Sequence, residues 1–336
     1  MSDLEKSWIY PEEHGLYVEP GDFYLDPVKS VARAVITHGH ADHARPGNEE
    51  VWATPQTIEI MEIRYGKAAV ETKHAMPFEQ SWSIGPVNIS LMPAGHVLGS
   101  AQVVLEYEGQ RVVYTGDYKR KSDPTCEAFI PVRCDVLITE ATFGLPIFRN
   151  PDPNQEVQKL IQSMEQQPER SHVIGVYALG KCQRLIAMLR EAGYTKPIYL
   201  HGSLRALCDY YRGQGIDLGD LQPATISEKE LLKGALVLGP PSAIREKWAR
   251  RLSDPVVGYA SGWMSVRQRA KQRNAELPLV ISDHADWPDL LRTIDETKCS
   301  EVWVTHGQED ALVHVCRQRG LRAKPLALVG FEEEAE

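Results

Sequence analysis

The sequence is poor in features that would place it outside the cell or in a membrane. Its six cysteines, at 126, 134, 182, 208, 299 and 316, include no C-x-x-C pair. They read as reduced thiols of a cytoplasmic protein. No window approaches the ~18 uninterrupted apolar residues of a membrane span. The stretch Met1–Pro11 is polar and acidic and lacks the apolar core of an export signal. Positive charge is short as well: 37 Lys and Arg stand against 46 Asp and Glu, for a net charge of −9. That excludes a nucleic-acid binder coated in basic residues, but not one with a local basic groove. Internal repeats and low-complexity linkers are missing, and only the tail Glu332–Glu336 is a run of one charge.

What is present belongs to a globular protein, with 43% apolar and 25% charged residues. At 336 residues the chain is too long for one ordinary core, so two domains are expected, with interleaving in sequence allowed. The first part alternates strand-like runs with turns. Gly15–Val18, Phe23–Leu25, Ala34–Ile36, Val51–Ala53, Val87–Met92, Ala101–Tyr107, Arg111–Tyr114 and Val136–Thr139 read as strands, and Pro55–Tyr65 as a helix opened by Thr54. From about Pro146 the texture becomes helices alternating with strands. Helices are expected at 154–167, 181–193 and 203–211, and strands at 173–177, 197–201, 235–239, 256–259 and 277–282. This βαβ pattern suits a parallel sheet. A further helix, Trp287–Thr297, joins two late polar strand ends, Ser282–Asp286 and Thr305–Gly307.

The densest chemistry lies at Thr37-His38-Gly39-His40-Ala41-Asp42-His43, directly after an apolar run. A strand end is a rigid platform, and its loop can curl so that neighbouring side chains converge. Neutral imidazole and carboxylate are ligands for zinc, manganese or iron. One histidine here would be an ordinary surface residue; four donors within six positions form a metal site. Further strands finish in His96, Asp117 and Glu140, on the end of a sheet where open α/β folds keep their sites. His14, His74, His172 and His314 carry no such context, and His201 reads as a structural histidine or a phosphate contact.

His38-x-His40-x-Asp42-His43, then His96, then Asp117 in T-G-D, resembles the metallo-β-lactamase superfamily in residues and order. Glu140 in E-A-T-F-G, His284 in S-D-H-A-D and His306 in T-H-G resemble three further motifs of its β-CASP nuclease branch. Within that branch the chain is most similar to the bacterial ligase-associated DNA exonucleases, from Tyr17 to about Glu309. The resemblance implies an α/β fold: an αββα metallo-β-lactamase sandwich, residues 1–146 and 276–336, with an inserted α/β β-CASP domain of parallel sheet, residues 147–275. It implies two divalent metal ions, one on His38, His40 and His96, the other on Asp42, His43 and His306, with Asp117 bridging. Such a pair shares a hydroxide and neutralises charge on an attacked phosphate. Asp26 matches the first acidic motif and is read as a support that orients a histidine or the loop. His284 is the expected general acid, with Glu140 fixing its tautomer.

Phosphate contacts are expected from Gly180, Lys181 and Arg184, a glycine turn at a helix start similar to the G-x-x-Q segment of β-CASP domains. Ser203 and Ser261 lie in comparable loops, and basic residues recur over Arg245–Arg251 and Arg267–Arg273. Trp263 is either a base-stacking platform or a core residue. The resemblance thus implies a metal-dependent DNA exonuclease of DNA repair, working 5′-to-3′ from a 5′-phosphate. A cytoplasmic location and association with an ATP-dependent DNA ligase and a helicase follow from it. The alternatives are an RNA-processing nuclease, suggested by the histidine at 306, a small-molecule metallo-hydrolase, and a catalytically silent scaffold.

Overall fold

Side-chain alternation decides the architecture of the first part of the chain. A computed structural model of the protein describes residues 7–224, 232–245, 252 and 254–326. Its described residues divide into two units. One comprises the described parts of Met1–Ser122, Cys126–Ile147 and His284–Ala335; the other comprises Asp123–Thr125 and Phe148–Asp283.

The first unit holds two sheets. One runs in sequence order through β1 (Ile9–Glu12), β2 (Gly15–Val18), β3 (Phe23–Leu25), β4 (Arg33–Val35), β5 (Asn48–Ala53) and β6 (Val70–Ala75). The other includes β7 (Ser81–Ile84), β8 (Val87–Pro93), β9 (Ala101–Tyr107), β10 (Gln110–Tyr114) and β11 (Val136–Ala141), then β18 (Glu301–Gly307) and β19 (Arg322–Pro325). Strands β10, β11, β18 and β19 are mutually parallel, so β10, β11 and β18 end at the same edge of the sheet.

Successive residues of a strand face opposite ways. Val112, Tyr114, Ile138 and Trp303 therefore enter a core with Leu16, Phe23 and Val35 of the facing sheet. Their neighbours Val113, Leu137, Val302 and Val304 pack outward against two helices. These are α7 (Trp287–Thr297), which supplies Leu290 and Ile294, and α8 (Glu309–Gln318), which supplies Leu312 and Cys316. On the other sheet, Ala34, Ile36, Val51 and Ala53 pack against Ile58 and Met61 of α1 (Pro55–Tyr65). The layers run helix, sheet, sheet, helix, as the resemblance implied.

The second unit is built on a parallel sheet ordered β14-β13-β15-β12-β16-β17. Its strands are β12 (His172–Gly175), β13 (Ile198–Leu200), β14 (Leu221–Pro223), β15 (Leu236–Gly239), β16 (Val256–Ala260) and β17 (Leu277–Leu279). Helices α2 (Pro153–Gln166), α3 (Lys181–Glu191), α4 (Arg205–Gly213), α5 (Pro241–Arg245) and α6 (Arg267–Gln272) alternate with them. The helix expected from Ser203 starts instead at Arg205. A 3-10 turn, Gly202–Leu204, precedes it because the His201 ring caps the Ser203 amide. The basic run Arg245–Arg251, apart from the Arg245 backbone, and the tail Glu332–Glu336 lie outside the described residues.

Candidate metal centre

The histidine loop follows β4 and is wholly contained in the first unit. Three groups of donor atoms lie within 4.8 Å of one another: His38, His40, His96 and Asp117; His43, Asp117 and His306; Asp117, Glu140 and His284. Asp117 belongs to all three. Its Oδ2 lies 3.7 Å from His38 Nε2, 3.8 Å from His96 Nε2 and 3.5 Å from His43 Nε2, and its Oδ1 lies 4.0 Å from His306 Nδ1. His40 Nδ1 lies 3.1 Å from His38 Nε2 and 3.0 Å from His96 Nε2. Ligands tetrahedrally placed on zinc at 2.0–2.1 Å are about 3.4 Å apart, so this donor set has the spacing of a cation site. Asp42 stands 3.6 Å from His43 Nε2 but belongs to none of the three groups.

Backbone geometry aims these donors. Gly116 has φ +53°, and a Cβ there would lie 2.8 Å from the Thr37 side chain, so only glycine lets the loop bring Asp117 over the histidine loop. His306 sits in a bulge. Thr305 pairs with Glu140 and Gly307 pairs with Ala141, so His306 is the residue left outside the ladder, at φ +54°. Bulges re-aim a side chain at the end of a pairing, and here the side chain joins Asp117 and His43. Gly307 then passes so close to the Ala141 carbonyl that a Cβ would meet it at 2.3 Å.

Buried Asp26 organises the ligands from behind. Its Oδ1 accepts from the Thr37 amide at 2.7 Å. Its Oδ2 accepts from the Thr37 hydroxyl at 2.7 Å, His43 Nδ1 at 2.8 Å and the Tyr114 hydroxyl at 3.2 Å. Since that Thr37 proton goes to Asp26, Thr37 Oγ1 accepts from His38 Nδ1 at 3.0 Å. Both imidazoles thus hold a proton on Nδ1 and direct Nε2 toward Asp117. Burial lowers the His38 pKa well below the usual imidazole value and takes His306 down to about 4. Burial pulls Asp117 up, but His43 and His284 outweigh it, holding the carboxyl well below its usual range. For His43, burial is outweighed by the Asp117, Asp42 and Asp26 carboxylates, and its pKa is raised. Neutral His38 and His306 and an ionised Asp117 are in the forms that ligate a cation, whereas His43 favours its charged form and would give up a proton to one.

Beside this cluster, His284 Nδ1 lies 3.0 Å from Glu140 Oε2. Glu140 is fully buried, and its Oε1 accepts from the Tyr118 amide at 2.7 Å. The His284 ring centroid is 4.8 Å from that of His96.

The expected phosphate residues sit in the second unit. Gly180 opens α3, but Lys181 and Arg184 are buried and turned toward Asp283, so they do not form an open anion cradle. Ser261 is buried, and its side chain caps the Trp263 amide; Ser203 is exposed beside His201. Trp263 is half-buried, packed edge-on to Phe148 and covered by Arg269 at 3.7 Å. Sequence reasoning missed Thr37 and Tyr114 as partners of Asp26. It also missed Lys119, which is buried and donates to the His96 carbonyl at 3.2 Å. An inward tyrosine at a strand end needs a partner for its hydroxyl, and that was the available signal for Tyr114.

Residues 11–149 match the family described as the beta-lactamase superfamily domain. That stretch of the chain is thus similar to the metallo-β-lactamase superfamily domain that the histidine loop resembles. A protein of Opitutus terrae named as a probable DNA ligase is 28% identical over 94% of this chain and 31% of its own length. The Neurospora crassa protein named endoribonuclease ysh-1 is 35% identical over 40% of this chain and 17% of its own. An RNase J-like protein of Methanocaldococcus jannaschii is 27% identical over 56% of this chain and 52% of its own. This chain therefore spans about half or less of each of these relatives. Among solved structures, a protein of unknown function from Enterococcus faecalis shares the fold at TM-score 0.54 and 14% identity, over 81% of this chain and 74% of that one. The relatives named as ribonucleases and the separate parallel-sheet unit are consistent with the β-CASP branch that the sequence resembles.

Proposed function

We propose that the chain is a metal-dependent DNA exonuclease of DNA repair, hydrolysing from a 5′-phosphate end in the 5′-to-3′ direction. The observation that carries the reading is the Glu140–His284 pair set beside the Asp117 donor groups. Hydrolysis of a phosphodiester needs a proton on the departing 3′-oxygen, and the pair is built to deliver one. Glu140 binds the Nδ1 proton, which leaves Nε2 of His284 to carry the mobile proton. Its other oxygen, Oε1, accepts from the Tyr118 amide, which fixes the carboxylate beside the ring it orients.

His38, His40 and His96 would hold one divalent ion and His43 with His306 another, with Asp117 shared and Asp42 at the rim. Zinc, manganese and iron all suit the donor set. Such ions activate water near neutral pH and offset the charge on an attacked phosphate. Asp26, through Thr37 and directly, keeps the His38 and His43 lone pairs aimed inward while the reaction proceeds.

DNA as substrate, and a working association with an ATP-dependent ligase and a helicase in the cytoplasm, draw support from the Opitutus relative, whose name is that of a ligase and which contains a stretch matching nearly this whole chain. A second reading, RNA processing, has its own support in His306 and in the relatives named as ribonucleases. End-labelled single- and double-stranded DNA and RNA, each with a 5′-phosphate or a 5′-hydroxyl, separate the two. Faster loss of nucleotides from 5′-phosphorylated DNA is expected. Preferential RNA cleavage, or equal digestion of 5′-hydroxyl ends, would refute the substrate or the polarity.

A further inference from the structure

Helix α3 of the second unit begins with basic side chains turned into the protein. Lys181 is 4% exposed and Arg184 is fully buried. Lys181 Nζ lies 2.8 Å from Asp283 Oδ2 and donates to the Ile281 carbonyl at 2.8 Å. Arg184 Nη1 donates to the Ser282 carbonyl at 2.6 Å and to Asp283 Oδ1 at 2.9 Å. Arg184 Nε lies 3.4 Å from Asp123 Oδ2, and Asp123 Oδ1 accepts from the Thr125 amide and hydroxyl at 2.8 and 2.6 Å. The two cations and two carboxylates balance. Three consecutive residues, 281 to 283, are thus gripped at their carbonyl or carboxylate oxygens by one helix start.

The next residue in the chain is His284. With the Asp283 Cα held, peptide planarity leaves only the Asp283 ψ to place the His284 Cα, and the His284 φ then directs the imidazole. Buried ion pairs stabilise no better than well-packed apolar side chains, so their use here points to geometry rather than stability. We propose that Lys181 and Arg184 are positioning residues that set the placement of His284 through the 281–283 segment. This rests on His284 being the proton donor. It replaces the phosphate contact expected of both residues at the start of α3.

The test compares the charge-neutral double variant Lys181→Met with Asp283→Asn, the single variants Lys181→Arg and Arg184→Lys, and His284→Gln. Each is assayed on 5′-phosphorylated DNA and on a nitrophenyl phosphodiester, whose leaving group departs without a proton. Misplacing a catalytic group by about 1 Å costs up to ~100-fold. The double variant should lose about 10–100-fold in kcat on DNA, with KM changed less than about threefold. Its metal content, its unfolding temperature and its turnover of the activated ester should stay near those of the parent chain. Lys181→Arg should recover most of the DNA rate, and Arg184→Lys, which loses the fork, should not. A raised KM with kcat intact would restore the phosphate contact and overturn the proposal. Equal loss on both substrates, or lost metal, would make the cluster merely structural and also overturn it. If His284→Gln loses DNA turnover while the double variant keeps it, only the positioning role falls. If His284→Gln turns over DNA at the parental rate, the proton-donor reading falls first and takes this one with it.

Discussion

Replacing Asp26 by Asn tests whether the ligands are oriented from behind. The backbone there has φ +41°, which asparagine tolerates, and the side chain is nearly isosteric, so packing is conserved. Hydrogen bonding is not. Placing the amide nitrogen where Oδ2 stands puts a donor against His43 Nδ1, the Thr37 hydroxyl and the Tyr114 hydroxyl. The hydroxyls can rotate and accept. The His43 ring can accept only by moving its proton to Nε2, which removes it as a ligand. A rotated Thr37 hydroxyl would donate to His38 Nδ1 and impose the same tautomer there. Placing the nitrogen at Oδ1 instead sets it against the Thr37 amide, which cannot rotate. Either way a buried donor is left unpaired, at a cost of about 1–3 kcal/mol. Losing such an orienting partner weakens metal binding about 10–100-fold. Competition of the metal-free protein against a chromogenic chelator measures this directly. Tyr114→Phe is the control: it removes one hydroxyl without constraining either tautomer, and affinity should stay within about threefold. Unchanged metal affinity in Asp26→Asn, or an equal loss in Tyr114→Phe, would refute the orientation argument.

Other expectations follow from single contacts. His284→Ala should retain its metal complement while losing most turnover, whereas Asp117→Ala should lose metal too; equal metal loss in both variants would remove the division of roles. Gly116→Ala should lower stability by about 1–3 kcal/mol, because the added methyl meets Thr37 at a positive φ; an unchanged melting temperature would contradict the clash. Burial lowers the pKa of His172, so below about pH 6.5 the unfolded chain takes up the proton first. Stability should therefore fall as pH drops from about 6.5, and His172→Gln should flatten that slope in denaturant titrations.

The cluster of donor side chains was legible because its members are crowded in sequence or stand at the ends of apolar strands, where few other roles fit a histidine. Helices α1 and α7 were equally plain, each with proline inside its first turn and a capping side chain before it. Strand β6 was not, since Val70–Ala75 is an edge strand in which only Val70 is buried and which carries no apolar alternation. Asp26 was legible as a polar residue closing a strand. Its partner Tyr114 lies 88 positions away, and only the facing of the two sheets brings them together. Lys181 and Arg184 illustrate a deeper limit. A glycine turn with basic residues opening a helix looks the same whether its charges face a ligand or a buried aspartate. Composition cannot distinguish the two, because the deciding charge, on Asp283, is about a hundred residues further along the chain.

The extra residue at the end of β18 has a chemical consequence. Because position 306 contributes nothing to the β11–β18 ladder, its side chain can be exchanged without unzipping the sheet. Its left-handed backbone favours Asn, Asp and His and disfavours branched or bulky residues. The conformation itself therefore admits mostly side chains that carry a metal donor. Under the proposed assignment of His306 to a cation, this position is the natural place to retune which cation is preferred.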